Sequence, residues 1–142
     1  MDYIEREAPQ KPHTPHYYGD IVRKLFIAGG VLMLVTLPIF YKDIPIPFTL
    51  SVFAILAIVL LAGLTNPRQT WVTVLDLIVS AFAFMSFEYV AIFEGTYSGA
   101  FQSGFFWITQ ALAVIFFIAV YFSAKTLRGM YRRDAVSQAP EQ

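Results

Sequence analysis

Four apolar runs, separated by short polar connections, set the pattern of the chain: Leu25 to Tyr41, Phe48 to Leu64, Trp71 to Phe93 and Phe105 to Ala124. Each is 17 to 23 residues long, close to the ~20 apolar residues that carry a helix across a hydrocarbon core about 30 Å thick. The pattern predicts an all-α integral membrane protein, a four-transmembrane-helix antiparallel bundle with spans over about 22–41, 48–64, 71–93 and 105–127. A polar tail, 1–18, precedes this 19–134 domain, and a disordered tail, 135–142, follows it.

The connections set the order of packing. Asp20 is placed to cap the first helix by accepting from its orphan amides, and Arg23 and Lys24 anchor it at the membrane surface, with their stems along apolar groups. Gly29 and Gly30 permit close approach of a neighbouring helix, and Pro38 kinks or ends the span. Pro45 and Pro47 forbid continued helix in the next connection, so spans one and two form an antiparallel hairpin. Asn66-Pro67 marks a turn and Thr70 a cap, which predicts a second hairpin between spans two and three. Glu94 to Gly104, with its glycines and serines, reads as a longer exposed loop.

Composition narrows the class. With 57% hydrophobic and 14% charged residues, the chain holds more apolar surface than a soluble core of 142 residues would bury, so lipid is its solvent. Ten basic residues balance ten acidic ones, and no net field points to nucleic acid. The absence of cysteine excludes disulfides, thiolate metal sites and a cysteine nucleophile. In the N-terminal tail, His13 and His16 have an H-x-x-H spacing, but Pro15 between them and the lack of a helix leave a solvated tail rather than a metal site. No cofactor is expected.

The distribution of charge orients the spans. Arg6, Lys11, Arg23, Lys24, Arg68, Lys125, Arg128, Arg132 and Arg133 fall on one side and only Lys42 on the other. By the positive-inside rule both termini are cytoplasmic, and the compact plan suggests the cytoplasmic membrane of a prokaryote. Arg128, Arg132 and Arg133 join Arg23 and Lys24 as membrane-surface anchors, on a helical extension of the fourth span. The aromatic belts agree: Trp71 lies at the inner boundary, and Tyr41, Tyr89, Tyr97 and Trp107 lie near the outer one.

Candidate chemistry rests on two carboxylates in the third span. Asp76 lies five residues past Trp71 and Glu88 twelve residues further on, about 18 Å along the axis and about 120° around it, so the two cannot share a proton within one protomer. Asp76 belongs to a small and polar stripe, Thr73, Asp76, Ser80, Ala83 and Phe87, that should face the interior. Its candidate partners are Lys125, for a structural ion pair, and Arg68, Asn66 and Tyr121. The roles open to it are a packing lock, a proton or cation relay, or a contact with a partner subunit. Glu88 lies near the depth of Thr109 and Gln110; it is either an interfacial anchor or, with Gln110 and Glu94, a polar mouth for a cation or small ligand.

No H-E-x-x-H, G-x-S-x-G or P-loop occurs, and no span contains histidine, so enzymatic machinery is not expected. What remains is a non-enzymatic accessory, assembly or interaction component of a membrane complex, in contact with lipid and with either another membrane subunit or further copies of itself. The alternative is a small oligomeric transporter or channel that uses Asp76 and Glu88, with Gln110, for ligand or ion coupling.

Overall fold

The computed structural model describes residues 18–44, 46–64, 69–97, 99 and 102–137, with the side chains of 97 and 133–137 left out. It is all-helical among these residues: α1 (Gly19–Phe40), α2 (Phe48–Leu64), α3 (Thr70–Tyr97) and α4 (Gly104–Ser137). Three of them, α1, α3 and α4, are long and apolar enough to cross a membrane. The fourth, α2, is apolar on every face but has 17 residues, about 26 Å of helix, at the lower limit of a span.

The helix ends refine the boundaries read from sequence. Gly19 begins α1, with Tyr18 at the cap position and no side-chain cap, so Asp20 sits in the first turn rather than at the cap. There its charge meets the positive end of the helix dipole. Thr70 is likewise the first residue of α3, and the Val72 amide donates to the Gln69 carbonyl at 3.2 Å. Pro38 lies inside α1, which runs on to Phe40, and the amides of Asp43 and Ile44 close the end onto the Phe40 carbonyl. The Pro47 carbonyl receives the first amides of α2, from Leu50 at 2.9 Å and Ser51 at 3.1 Å. Ser103 caps α4, its hydroxyl accepting from the Phe106 amide at 3.1 Å, as a serine just before an apolar run can. α3 continues through Glu94 to Tyr97 and takes up part of the expected loop, while α4 stays helical through Ser137 where a frayed tail was expected from Ala135.

Packing follows the small residues. α3 lies most extensively on α4, and α1 is held between α4 and α2. The buried positions of α4, among them Thr109, Leu112, Phe116, Ala119, Ser123 and Thr126, recur at three- and four-residue spacing and form one stripe. Phe116, fully buried, is where three helices meet: its ring centroid lies 6.0 Å from that of Phe26 on α1 and 5.7 Å from that of Phe87 on α3. The approach is possible because position 29 is glycine; a Cβ there would stand 3.0 Å from Phe116 Cζ. Gly30 does the same on the other side, where a Cβ would meet Val59 Cγ2 at 3.2 Å. All neighbouring contacts are antiparallel, with Phe40 on Phe105 and Tyr18 on Phe122 between α1 and α4, and Phe84 on Phe117 between α3 and α4.

One expected pairing is nearly missing. Although α2 and α3 are consecutive, they touch only slightly. The buried residues of α2, Ser51, Ile55, Ile58 and Ala62, form one stripe, and its main neighbour is α1. The outward faces of all four helices remain apolar and exposed, including Leu34, Phe53, Ile78, Phe82 and Phe117. A belt of that kind suits hydrocarbon better than water.

Gly29 provides the sharpest test of this packing. Gly29→Val forces Phe116 out of its position and should lower stability by about 1–3 kcal/mol, the usual cost of overpacking. Gly63→Val, at a site with nothing within 4 Å of the added Cβ, should leave the unfolding midpoint in detergent nearly unchanged.

Candidate functional site

The stripe on α3 faces inward as expected. Thr73, Asp76, Ser80 and Ala83 are buried, with Asp76 only 2% exposed, and Phe87 is half-buried against Phe116. The antiparallel register with α4 is set by Thr73 on Met130, where the hydroxyl approaches the sulfur at 3.8 Å, and by Phe84 on Phe117. It places Asp76 at the level of Lys125 to Leu127 and Ser80 at that of Tyr121 to Ser123. This end of the interior is therefore lined by small hydroxyl side chains. Ser80 donates to the Leu77 carbonyl at 3.1 Å and Thr126 to the Phe122 carbonyl at 2.8 Å. The Ser123 hydroxyl is buried with no hydrogen-bond partner among the described residues.

The expected Asp76–Lys125 ion pair does not form. Lys125 is exposed, and its ammonium stands 4.7 Å from the Tyr18 ring centroid and 5.8 Å from that of Tyr121. Helical geometry explains the difference: Lys125 is about 200° around α4 from Ser123 and about 100° from Thr126, off the buried stripe that meets α3. Tyr121, another candidate partner for Asp76, is exposed and engaged by Lys125 instead. Asn66 and Arg68 lie outside the described residues, as do His13 and His16.

Tyr18 has a role that the sequence pattern hides by ending the polar tail there. Its amide donates to Thr126 Oγ1 at 3.3 Å, its ring lies 5.4 Å from that of Phe122, and its π face receives Lys125. The start of α1 is thus pinned to α4. A tyrosine directly before a helix, at the depth of a lysine, is the signal that could have found it.

At the other end Glu88 and Gln110 do come together: Gln110 Nε2 donates to Glu88 Oε2 at 3.3 Å, with both side chains half-buried. Thr109, the neighbouring candidate, is buried and turned to its own helix, donating to the Phe105 carbonyl at 3.0 Å and the Phe106 carbonyl at 2.9 Å. Glu94 is half-buried near the end of α3. The interior section between the Asp76 level and the Glu88 level holds Phe116, with the rings of Phe26 and Phe87 both packed on it.

The basic residues gather at the Asp76 end. Because Tyr18 packs on Phe122 and Thr126, Arg23, Lys24, Lys125, Arg128 and Arg132 share that end, and all five are exposed. The side chain of Arg133 lies outside the described residues. Lys42, 5.6 Å from the Tyr41 ring centroid, is at the opposite end with Trp107. Among the described residues no group of three or more His, Cys, Asp or Glu could hold a metal ion.

Set against known protein families, curated proteins and solved structures, the chain matches none.

The Glu88–Gln110 contact has a measurable weight. A double-mutant cycle with Glu88→Gln and Gln110→Leu, read by reversible unfolding in detergent micelles, should give a coupling of about 0.6–1.7 kcal/mol, the range of hydrogen bonds between membrane helices. A coupling indistinguishable from zero means the two side chains are separately solvated.

Proposed function

We propose that this chain is a four-pass protein of a prokaryotic cytoplasmic membrane, with both termini in the cytoplasm. It works without catalysis, as an assembly or accessory subunit of a membrane complex. The observation that carries the reading is the reach of α4. Thr126 already lies beside Tyr18, at the start of α1, yet the helix continues to Ser137, about 16 Å further along the axis. That extension bears exposed Arg128, Tyr131 and Arg132. Arginine and tyrosine are the residue types that anchor protein interfaces, and the charges also suit an anionic leaflet.

The asymmetry of charge supports the orientation. Five exposed basic side chains stand at one end and Lys42 at the other, and an end rich in lysine and arginine is the one retained in the cytoplasm. With that orientation α2 crosses nearly upright, since its 17 residues leave no length for tilt.

The setting of the two carboxylates favours local roles. Asp76 is buried on the stripe that carries Thr73 and Ser80, and Glu88 is held by Gln110, with Phe116, Phe26 and Phe87 packed between their levels. Asp76 then specifies how α3 sits on α4, as a buried polar group can. The transport alternative, with Asp76 and Glu88 as coupling groups, requires an ion path around that aromatic section.

Gentle extraction from the native membrane and mass analysis of the intact complex tests the proposal. A stoichiometric foreign subunit, released by Arg128→Glu with Arg132→Glu while helicity is unchanged, is the expected result. In reconstituted vesicles Asp76→Asn should lower thermal stability and leave ion flux at the protein-free level, as for the wild type. Flux that depends on Asp76 or Glu88, carried by a homo-oligomer, would overturn the assignment in favour of transport.

A further inference from the structure

The slight contact between α2 and α3 leaves a cleft of about 360 Å³, lined by all four helices and by Ile44 and Ile46 of the first connection. Its rim is exposed: Phe82 is 75% accessible, and Ser86 and Ala57 are open as well, so the cleft faces outward between α2 and α3. We propose that it holds one acyl chain of a phospholipid, drawn from the leaflet on the Lys42 side.

Chemistry, size, depth and charge each support that occupant. The polar side chains on the wall are four hydroxyls, and each is already turned to its own helix: Thr36 donates to the Leu32 carbonyl at 2.7 Å, Ser86 to the Phe82 carbonyl at 2.8 Å, Thr109 to the Phe105 carbonyl at 3.0 Å, and Ser51 to the Pro47 carbonyl at 3.5 Å. Such a wall offers no directional partner to a polar ligand, and too few polar groups to hold water. A volume of 360 Å³ falls at the lower end of the range for ligand sites, about 300–1,000 Å³. A hydrocarbon chain, which needs no directional partner, suits such a wall.

The depth of the cleft matches one leaflet. On α3 it runs from Val90 to Val79, eleven steps or about 16 Å, against about 15 Å for half the hydrocarbon core. One end is bounded by Ile44, Ile46 and Phe105, where α1 and α2 are joined and α4 begins, and the other by Val79 and Leu112 near mid-span. At the joined end Lys42 and Asp43, both exposed, lie in the turn that leads to Ile44. Lys42 is the lysine placed to meet a lipid phosphate, which commits the chain to a phospholipid of that leaflet rather than to an uncharged hydrocarbon.

The test uses the full-length protein in nanodiscs, with a phospholipid carrying a diazirine on one acyl chain as the probe. Photolysis followed by peptide mapping should place the label on cleft residues such as Ala54, Ala83 and Ser86 in preference to the equally apolar outer positions Leu34 and Phe53. Native mass spectrometry from mild detergent should show one retained phospholipid per protomer. Ser86→Phe with Ala57→Phe, at rim positions where a folded chain can carry them, should abolish the preference of the label for the cleft and the retention of the lipid, as when a side chain fills a ligand pocket. Lys42→Gln should reduce retention of the phospholipid but not of a diacylglycerol. Label spread evenly over all exposed apolar positions overturns the proposal, and that mapping needs no variant to fold. So does a dimer or a foreign helix that the two phenylalanines displace while lipid retention stays unchanged.

Discussion

Phe116 against Gly29 is the contact that holds the helices in place. It lets α1 approach α4 to within the width of one aromatic ring, and it brings Phe26 and Phe87 onto the same side chain. In lipid the apolar effect does little to drive helices together, because acyl chains are as apolar as leucine; close packing has to supply the association. A glycine opposite a buried phenylalanine is an efficient way to obtain it. Gly30, turned the other way to Val59, then makes α1 the link between α2 and the α3–α4 pair.

That arrangement has a consequence for α2. Tied to α1 through Ile58 and its neighbours, and apolar on every face, it has no polar or small-residue stripe to specify a second partner. Thr73, on the small-residue face of α3, is already used against Met130 of α4. Consecutive helices with nothing to interlock stay apart, and the space between them is bounded by side chains whose hydroxyls are satisfied within their own helices. The shape of the cleft follows from a packing shortage rather than from any group that lines it.

The two polar features sit at opposite ends for a related reason. In the interior of the α3–α4 pair a carboxylate is tolerable only where a polar or charged partner or the interface meets it. Asp76 takes the end rich in serine and threonine, and Glu88 takes the end where Gln110 can donate to it. Lys125 stays off this interior because the snorkelling stem of a lysine finds two tyrosine rings at the surface, a cheaper setting for its charge than the buried stripe.

Features that depend on the chain locally were legible in its residues. Run length and composition marked four helices, to within four residues except at the end of α4, which runs on to Ser137 beyond its apolar run. Helical spacing turned the face of Asp76 inward, the prolines set the break between α1 and α2, and residue order brought Glu88 near the depth of Gln110. Which helices touch emerged in three dimensions. The absence of the Asp76–Lys125 pair, the docking of Tyr18, and the gap between α2 and α3 all depend on rotation about helix axes and on competition among faces for few small residues. Hydropathy is blind to both, because in an apolar solvent every face of a helix such as α2 reads alike until a neighbour selects one.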